Sequence, residues 1–340
     1  MQFLENVPLA PYTTFGVGGP ARWFAEAVSE EEVLEGLAFA RTRSLQLFVL
    51  GGGSNLLVAD EGFNGLVLRM ALRGCKENNP GQFSVAAGED WDGFVSLAVS
   101  RDCAGVECLA GIPGSVGGTP VQNVGAYGQE VAETVRLVRA VDLRSEAVVE
   151  LGAAECGFAY RRSIFNSTER GRYAVTRVDF DLTLGGAPRI AYADLKRHFA
   201  GQPTPTLTEV SAAVREIRRA KGMLLTADDP DCRSAGSFFK NPVISKAHYA
   251  QIAAATATAV PQYPAGDAQV KLPAAWLLEQ AGFIKGYAMG QAGISSRHTL
   301  ALINRGGATA AAIGALRDRI ITVVQDRFGI VLEPEPVWLG

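Results

Sequence analysis

Two glycine clusters in the first half of the chain carry the residue types that can hold a phosphate. Gly51-Gly52-Gly53-Ser54-Asn55 follows an apolar run, and residues 110–118 read AGIPGSVGG. Glycine lets a backbone approach a ligand with no Cβ in the way, and it admits positive φ. Successive amide N–H groups in such a loop form an anion-binding concavity, to which Ser54 and Asn55 add side-chain donors. The second cluster runs on into Gln122-Asn123-Val124-Gly125-Ala126-Tyr127-Gly128. Ordering two such segments costs conformational entropy, which a bound ligand would offset. We expect residues 51–55 and 112–118 to hold the pyrophosphate of a dinucleotide. The plainer alternatives are a hairpin turn at the first cluster and tight surface turns at the second.

Several other chemistries are disfavoured. Neither cluster is followed by Gly-Lys-Ser/Thr, so a P-loop phosphotransferase is not expected. No Gly-x-Gly-x-x-Gly opens a helix within a βαβ unit, so neither is a Rossmann fingerprint. The three histidines, His198, His248 and His298, lie far apart, and the five cysteines form no Cys-x-x-Cys pair. A metal centre, a disulfide framework and a Ser-His-Asp triad are therefore not expected. The 32 basic and 35 acidic residues are well mixed and leave a net charge of −3, which gives no footprint for nucleic acid or an anionic membrane. No apolar run is long enough to span a bilayer, and the N-terminus does not read as a signal peptide. We expect a cytoplasmic, monomeric protein that acts on small molecules.

The elements that must position these loops read as α+β. Residues 46–50, 65–70, 83–87, 136–143 and 173–184 are expected strands, with Val178, Phe180 and Leu182 alternating onto one face. Residues 30–41, after Ser29 as N-cap, and 91–101 are expected helices. Residues 201–206, rich in Gly, Pro and Thr, read as a hinge between domains at 1–200 and 201–340, the first with subdomains at about 1–70 and 71–200. Leu207, Val210, Val214 and Ile217 then keep helical spacing, with Arg218, Arg219 and Lys221 at the helix end. Helices at 273–281 and 310–328, short strands at 299–303 and near Val331, and a helical reading of the alanine-rich residues 253–259 and 308–315 complete the second half.

Six segments in this order resemble the UDP-N-acetylenolpyruvoylglucosamine reductase family. They are Thr14-Phe15-Gly16, the Gly51–Asn55 loop, residues 112–118 joined to 122–128, Phe158-Ala159-Tyr160-Arg161-Arg162-Ser163-Ile164-Phe165, residues 235–242 (AGSFFKNP) and Leu332-Glu333-Pro334-Glu335. The resemblance implies an FAD-binding domain of the vanillyl-alcohol-oxidase/PCMH type and a smaller α+β domain for a UDP-sugar. It implies FAD contacts from Gly51, Gly52, Gly53, Ser54, Asn55, Ile112, Pro113, Gly114, Ser115, Gly117, Gly118, Gln122, Asn123, Gly125, Ala126 and Tyr127. NADPH would be the co-substrate, and the enolpyruvyl group of UDP-N-acetylglucosamine enolpyruvate would be reduced to give UDP-N-acetylmuramate for peptidoglycan.

Hydride delivery to that double bond leaves charge next to a carboxylate, which needs preorganised donors. The family pattern gives Arg161, rather than Arg162, the task of gripping the carboxylate bidentately. Glu335, rather than Glu333, would help if protonated or if it positions another donor. The resemblance makes Ser237 the proton donor to the carbanion. Pro336 departs from the family pattern and puts the placement of Glu335 in question. Tyr160, Tyr192, Lys221, Asn241, Lys271 and His298 are implied substrate contacts, with Lys240 as a further lysine, and solvated surface roles are their alternative. The acidic residues Asp228, Asp229 and Asp231 in loop 222–234 have no evident role. An FAD-dependent oxidase of the same superfamily and a non-catalytic UDP-sugar binder are the competing functions.

Overall fold

The capping signals read from the sequence set the main helices. In the computed structural model, which describes residues 1–227 and 229–340, Ser29 accepts from Glu32 N and starts the helix Glu30–Thr42. Asp90 accepts from Gly93 N and starts Trp91–Ser100. Thr309 caps Ala310–Phe328, with Asp60 accepting from Ala310 N and Ala311 N at 2.7 and 2.9 Å. That helix stops at Gly329, whose φ of 65° is open to glycine at little cost.

The chain forms two compact units, and it passes between them at 8/9, 19/20, 53/54, 62/63 and 220/221. The first unit contains two sheets. One orders its strands Leu4–Pro8, Pro20–Ala27, Phe63–Met70 and Gln46–Leu50, the last three parallel. Val33, Leu37 and Ala40 bury one stripe of the helix Glu30–Thr42, and Val33 and Ala40 share a core with Leu66 and Leu68. The other sheet is antiparallel, in the order Val148–Gly152, Val135–Asp142, Tyr173–Asp181, Gln82–Ala86, Cys75–Asn79. Val178 and Phe180 face a core with Phe83, Trp91 and Phe94, as their alternation predicts.

The helix Leu207–Ala220 belongs to this first unit, because Leu207, Val210, Ala213 and Val214 complete the same core. The division therefore falls at 220/221 rather than at the Gly/Pro-rich residues 201–206. The second unit gathers residues 9–19 and 54–62 with 221–340. Phe15, Val17 and Leu57 join Phe238, Leu277, Ile313 and Leu316 in its core. Its last strand is Val337–Leu339, parallel to Leu56–Val58. The strand expected near Val331 is absent there, and Val331 is exposed. The helix expected over 253–259 is Lys246–Ala255, and it ends where β-branched Thr256, Thr258 and Val260 lead into Pro261. Among the described residues no helix is long and apolar enough to cross a membrane.

The antiparallel sheet carries a buried charge pair with a testable consequence. Asp142 is 3% exposed and accepts from Arg172 Nε and Nη2 at 2.9 and 2.7 Å. The hydrogen bonds from Arg172 hold its carboxyl down at about 2. An unfolded aspartate titrates near 3.9. A depressed folded value means the stabilisation is complete above the unfolded value and is lost as pH falls through the folded one. Urea midpoints should thus decline between about pH 4 and pH 2, and Asp142→Asn should flatten that decline while lowering the midpoint at pH 7. An unchanged slope in Asp142→Asn would remove this pair as its source.

Candidate active site

In the first unit the two glycine clusters meet. A Cβ on Gly52 would lie 2.6 Å from Gly114 Cα and 2.7 Å from Ser115 N, and one on Gly51 would lie 2.9 Å from Ser115 Oγ. Only glycine permits this approach. The hairpin alternative for the first cluster does not hold: Gln46–Leu50 pairs with Phe63–Met70, and Leu56–Val58 pairs with Val337–Leu339. Residues 114–117 run beside 87–91, with Val116 N donating to Glu89 O and Gly117 N to Ala87 O, both at 2.9 Å. Gly118 N donates to Ser115 O. These amides are committed to the protein, so an anion would have to be met elsewhere in the loops. Ser115 Oγ is buried and has no hydrogen-bond partner among the described residues. An orphaned buried hydroxyl costs about 1–3 kcal/mol, so the cradle is built with one acceptor-seeking group already in it.

The second cluster is gripped from behind by the helix Leu207–Ala220. Arg218 is 5% exposed and donates from Nε to Gly111 O at 3.0 Å, and it also hydrogen-bonds Tyr127. Burial pulls its guanidinium below the usual arginine range. Gly111 N donates to Asp92 Oδ1 at 2.6 Å, and Arg215 Nη2 donates to the same oxygen at 2.6 Å. Both faces of the Gly111 peptide unit are thus fixed. The sequence places Arg218 with Arg219 and Lys221 at the helix end, where the dipole favours cations. Yet it continues the 207, 210, 214 stripe one step further, and that spacing was the available signal.

Gly125–Ala126 pairs with Gln129–Glu130, so Tyr127 and Gly128 are the central residues of a two-residue hairpin with φ of 48° and 88°. The Tyr127 ring meets the edge of Tyr192 at 5.4 Å between centroids. Tyr192 and Tyr160 are both about half exposed. Tyr160 and Arg161 occupy the centre of a second tight turn, closed by Ala159 N to Arg162 O at 2.9 Å and Arg162 N to Ala159 O at 3.0 Å. Arg161 has φ of 55°, a position that turns usually give to glycine.

Two asparagines hold that turn. Asn166 donates to Arg161 O and Asn123 donates to Ala159 O, each at 3.1 Å. Asn123 is 1% exposed, also donates to Glu130 Oε2, and accepts from Ala132 N. Expected beside the cofactor, it spends its amide on the protein instead. A Cβ on Gly125 would sit 2.8 Å from Glu130 Cγ and 2.9 Å from Gln129 O, so the close hairpin pairing requires this glycine, with Arg161 Nη1 next at 3.2 Å. Gly117 is likewise a packing glycine, 2.5 Å from Ala87 Cβ by the same measure. Ile112, Pro113, Gly114, Gly118, Gln122 and Ala126 remain partly exposed on the loops, and Arg162 is exposed beyond the turn.

In the second unit, residues 237–240 lie between two other segments. Phe238 N donates to Leu300 O on one side. Glu335 N donates to Phe238 O and Lys240 N to Glu333 O on the other. The segments that carry Ser237, His298 and Glu335 are thereby adjoined, and Ser237 Oγ lies 3.0 Å from His298 Nε2. Glu333 pairs with Lys240 at the surface, which separates its role from that of Glu335. Pro336 lies between two residues that Asn55 holds. Asn55 donates from Nδ2 to Glu335 O at 3.0 Å, and Val337 N donates to Asn55 O at 2.9 Å, so the strand resumes directly after the proline. Thr14 donates to the carbonyls of Ser54 and Ser234 and ties the neighbouring loop down. Asn241 Oδ1 accepts from Ala274 N and caps the helix Ala274–Gln280. Lys221 and Lys271 are partly buried in this unit.

The acidic loop also has a structural account. Arg297 donates to Asp231 Oδ2 at 3.0 Å and to Asp229, while Ser296 donates from N and Oγ to Asp231. Both carboxylates are neutralised against the segment that carries His298. Asp228 lies outside the described residues. Among those described, no cluster of metal-ligating side chains occurs.

Known proteins show the same two parts. The FAD binding domain family matches residues 21–152, and the UDP-N-acetylenolpyruvoylglucosamine reductase C-terminal domain family matches residues 228–339. The chain is 47% identical to the UDP-N-acetylenolpyruvoylglucosamine reductase of Thermobifida fusca, with 99% of this chain and 98% of that protein covered. It is 44% identical to the reductase of Streptomyces coelicolor, covering 100% of this chain and 91% of the relative. The crystal structure of UDP-N-acetylenolpyruvylglucosamine reductase from Thermus caldophilus superposes with a TM-score of 0.68 at 27% identity, covering 100% of this chain and 98% of that one. The expected α+β fold, a PCMH-type FAD-binding domain with a second reductase domain, is thus met. FAD is the cofactor of such a chain, and the residues present fit it, with a glycine cradle and a Ser115 hydroxyl that has no hydrogen-bond partner among the described residues. The chain belongs to the UDP-N-acetylenolpyruvoylglucosamine reductase family.

Proposed function

We propose that this protein is an FAD-dependent reductase that uses NADPH to reduce the enolpyruvyl group of UDP-N-acetylglucosamine enolpyruvate. The product is UDP-N-acetylmuramate, a peptidoglycan precursor. The observation that carries the reading is the Phe238-centred arrangement, which sets a serine hydroxyl and the Glu335 carboxyl on adjoining segments within a chain of this family. An oxidase acting on an alcohol has no use for a proton donor so placed. We further propose that it works as a monomer in the cytoplasm.

The chemistry that FAD supplies when bound is two-electron transfer from NADPH to the enolpyruvyl double bond. Gly51 to Asn55 and the loop at 112–118, Ser115 foremost, would hold the diphosphate, with Gln122, Gly125, Ala126 and Tyr127 nearby. Arg161 grips the substrate carboxylate as charge accumulates beside it. A guanidinium cannot lose its proton there, and its fork matches two carboxylate oxygens. The αL backbone at Arg161 costs on the order of 1–3 kcal/mol, a strain typical of functional positions. Ser237 passes its hydroxyl proton to the carbanion, and Glu335, in its protonated form, donates to the same charge. Tyr160 and Tyr192 present exposed rings to the substrate. Lys221, Lys271 and the free amide side of Asn241 are proposed partners of the UDP portion. Lys240 is set aside, since Glu333 already holds it.

Two measurements test this reading. Ser115→Ala removes an unsatisfied buried hydroxyl. The FAD-free protein should therefore be equally stable or more stable by about 1 kcal/mol, while FAD affinity, followed by flavin fluorescence, falls roughly tenfold, equivalent to about 1.4 kcal/mol. Unchanged affinity would take Ser115 out of the cofactor site. For the reaction, anaerobic stopped-flow should show Ser237→Ala reducing its flavin with NADPH at the wild-type rate. Its reoxidation by UDP-N-acetylglucosamine enolpyruvate should be slower by several orders of magnitude. Equal slowing of both halves would mean that Ser237 is not the proton donor.

A further inference from the structure

The hydrogen bond between Ser237 and His298 has a chemical direction. A serine hydroxyl carries one proton. If that proton points at the imidazole, it is not available to the substrate. We propose that His298 is a positioning residue for Ser237: its Nε2–H donates to Ser237 Oγ, leaves the hydroxyl proton aimed at the substrate carbon, and stabilises the alkoxide that remains. This rests on the reading of Ser237 as the proton donor. In the step, the Ser237 O–H bond breaks as the C–H bond forms, and the alkoxide is held by the imidazole N–H. A water proton restores the hydroxyl after turnover, so His298 need not change its own charge.

The fold is built to hold this pair in register. Residues 295–301 form the loop between the strands Ala292–Ile294 and Leu302–Asn304, closed by Ser295 N to Ala301 O at 2.8 Å. Ser295 is fully buried, and its Oγ accepts from Arg297 N and His298 N at 3.1 and 3.3 Å. His298 O accepts from Ala301 N. Next to it, Arg297 and Ser296 are clamped to Asp229 and Asp231. Two residues on, Leu300 O receives Phe238 N, which fixes the loop against the segment that carries Ser237. The imidazole is thus anchored through its backbone from three directions and reaches Ser237 Oγ at 3.0 Å. A nucleotide contact, the role that family resemblance gives His298, would not require that distance.

The test compares His298→Phe, His298→Gln, Ser237→Ala and the double variant Ser237→Ala/His298→Phe as FAD-loaded enzymes. Two quantities are read: the dissociation constant of UDP-N-acetylglucosamine enolpyruvate, and the rate of substrate-dependent flavin reoxidation at saturation. A hydrogen bond to a developing alkoxide is charge-assisted, so its loss in His298→Phe should slow reoxidation roughly 10- to 100-fold. Flavin reduction by NADPH and the substrate dissociation constant should stay within about twofold of wild type. His298→Gln, whose amide N–H reaches the same place, should recover most of the rate. The double variant should be no slower than Ser237→Ala, because the two groups act as one. If His298→Phe does not fold, His298→Asn takes its place, its amide being too short to reach Oγ. A weakened dissociation constant with an unchanged saturating rate would overturn the proposal in favour of a nucleotide contact. So would multiplicative losses in the double variant. Undiminished reoxidation in Ser237→Ala would overturn the role of Ser237, and this inference with it. A slow Ser237→Ala beside a fast His298→Phe would overturn this inference alone.

Discussion

The two backbone hydrogen bonds of Phe238 are the constraint on which the reacting end of the second unit depends. Its N–H fixes the loop that carries His298, and its carbonyl fixes the segment that carries Glu335. The residue cannot drift, because its ring is 2% exposed and packs edge-on against Phe15 and Phe239. Core packing is thereby converted into placement of polar groups. Buried aromatic contact supplies the stability, and the peptide unit at its base transmits the position. Asn55 adds the third fixed point, since its side chain and its own backbone hold the chain on both sides of Pro336. A proline has no N–H to satisfy, so it costs nothing at a position where the ladder has no bond to make.

The first unit uses a different device for the same end. A glycine-rich loop has few side chains to pack, so something else must keep it from collapsing. Here the Gly111 peptide unit is tied on both faces, to Asp92 through its N–H and to Arg218 through its carbonyl. The second arginine, Arg215, shares the Asp92 carboxylate and keeps that charge compensated. Arg218 also reaches Tyr127, and Tyr127 supports Tyr192. One helix thus steadies the glycine loop, the hairpin after it and the aromatic pair beyond.

Local signals in the sequence were sufficient for the elements and insufficient for the pairings. Ser29, Thr309 and Gly329 mark helix ends through bonds made within a few residues, so they could be read directly. Val178 and Phe180 alternate because a strand must, and that too is local. The strand Val337–Leu339 lies where the resemblance implies a C-terminal strand after Glu335, but its partner, Leu56–Val58, is remote in sequence, so the pairing was not legible. The hinge at 201–206 was read from glycine and proline. The true division follows burial of Leu207, Val210 and Val214, which composition does not reveal. Most candidate site residues entered through motif resemblance alone. Arg218 lies on the same stripe by spacing, although its charge suits the helix end equally well. The Ser237–His298 contact joins residues far apart and had no sequence signal at all.

Arg161 shows why such a site resists reading from local preference. Its left-handed backbone is a conformation that propensity would assign to glycine, and a glycine there would relax the turn. The proposed role needs the side chain, and the fold supplies what the residue lacks. Asn123 and Asn166 each donate to a carbonyl of the turn. Two residues that look like part of a cofactor loop and an ordinary cap therefore hold the turn that carries Arg161. The asparagines are buried or partly buried and their bonds are saturated by protein, so the strain at Arg161 is balanced within the first unit itself. The guanidinium can then be held in place before any substrate arrives, which is the condition for stabilising charge without reorganisation.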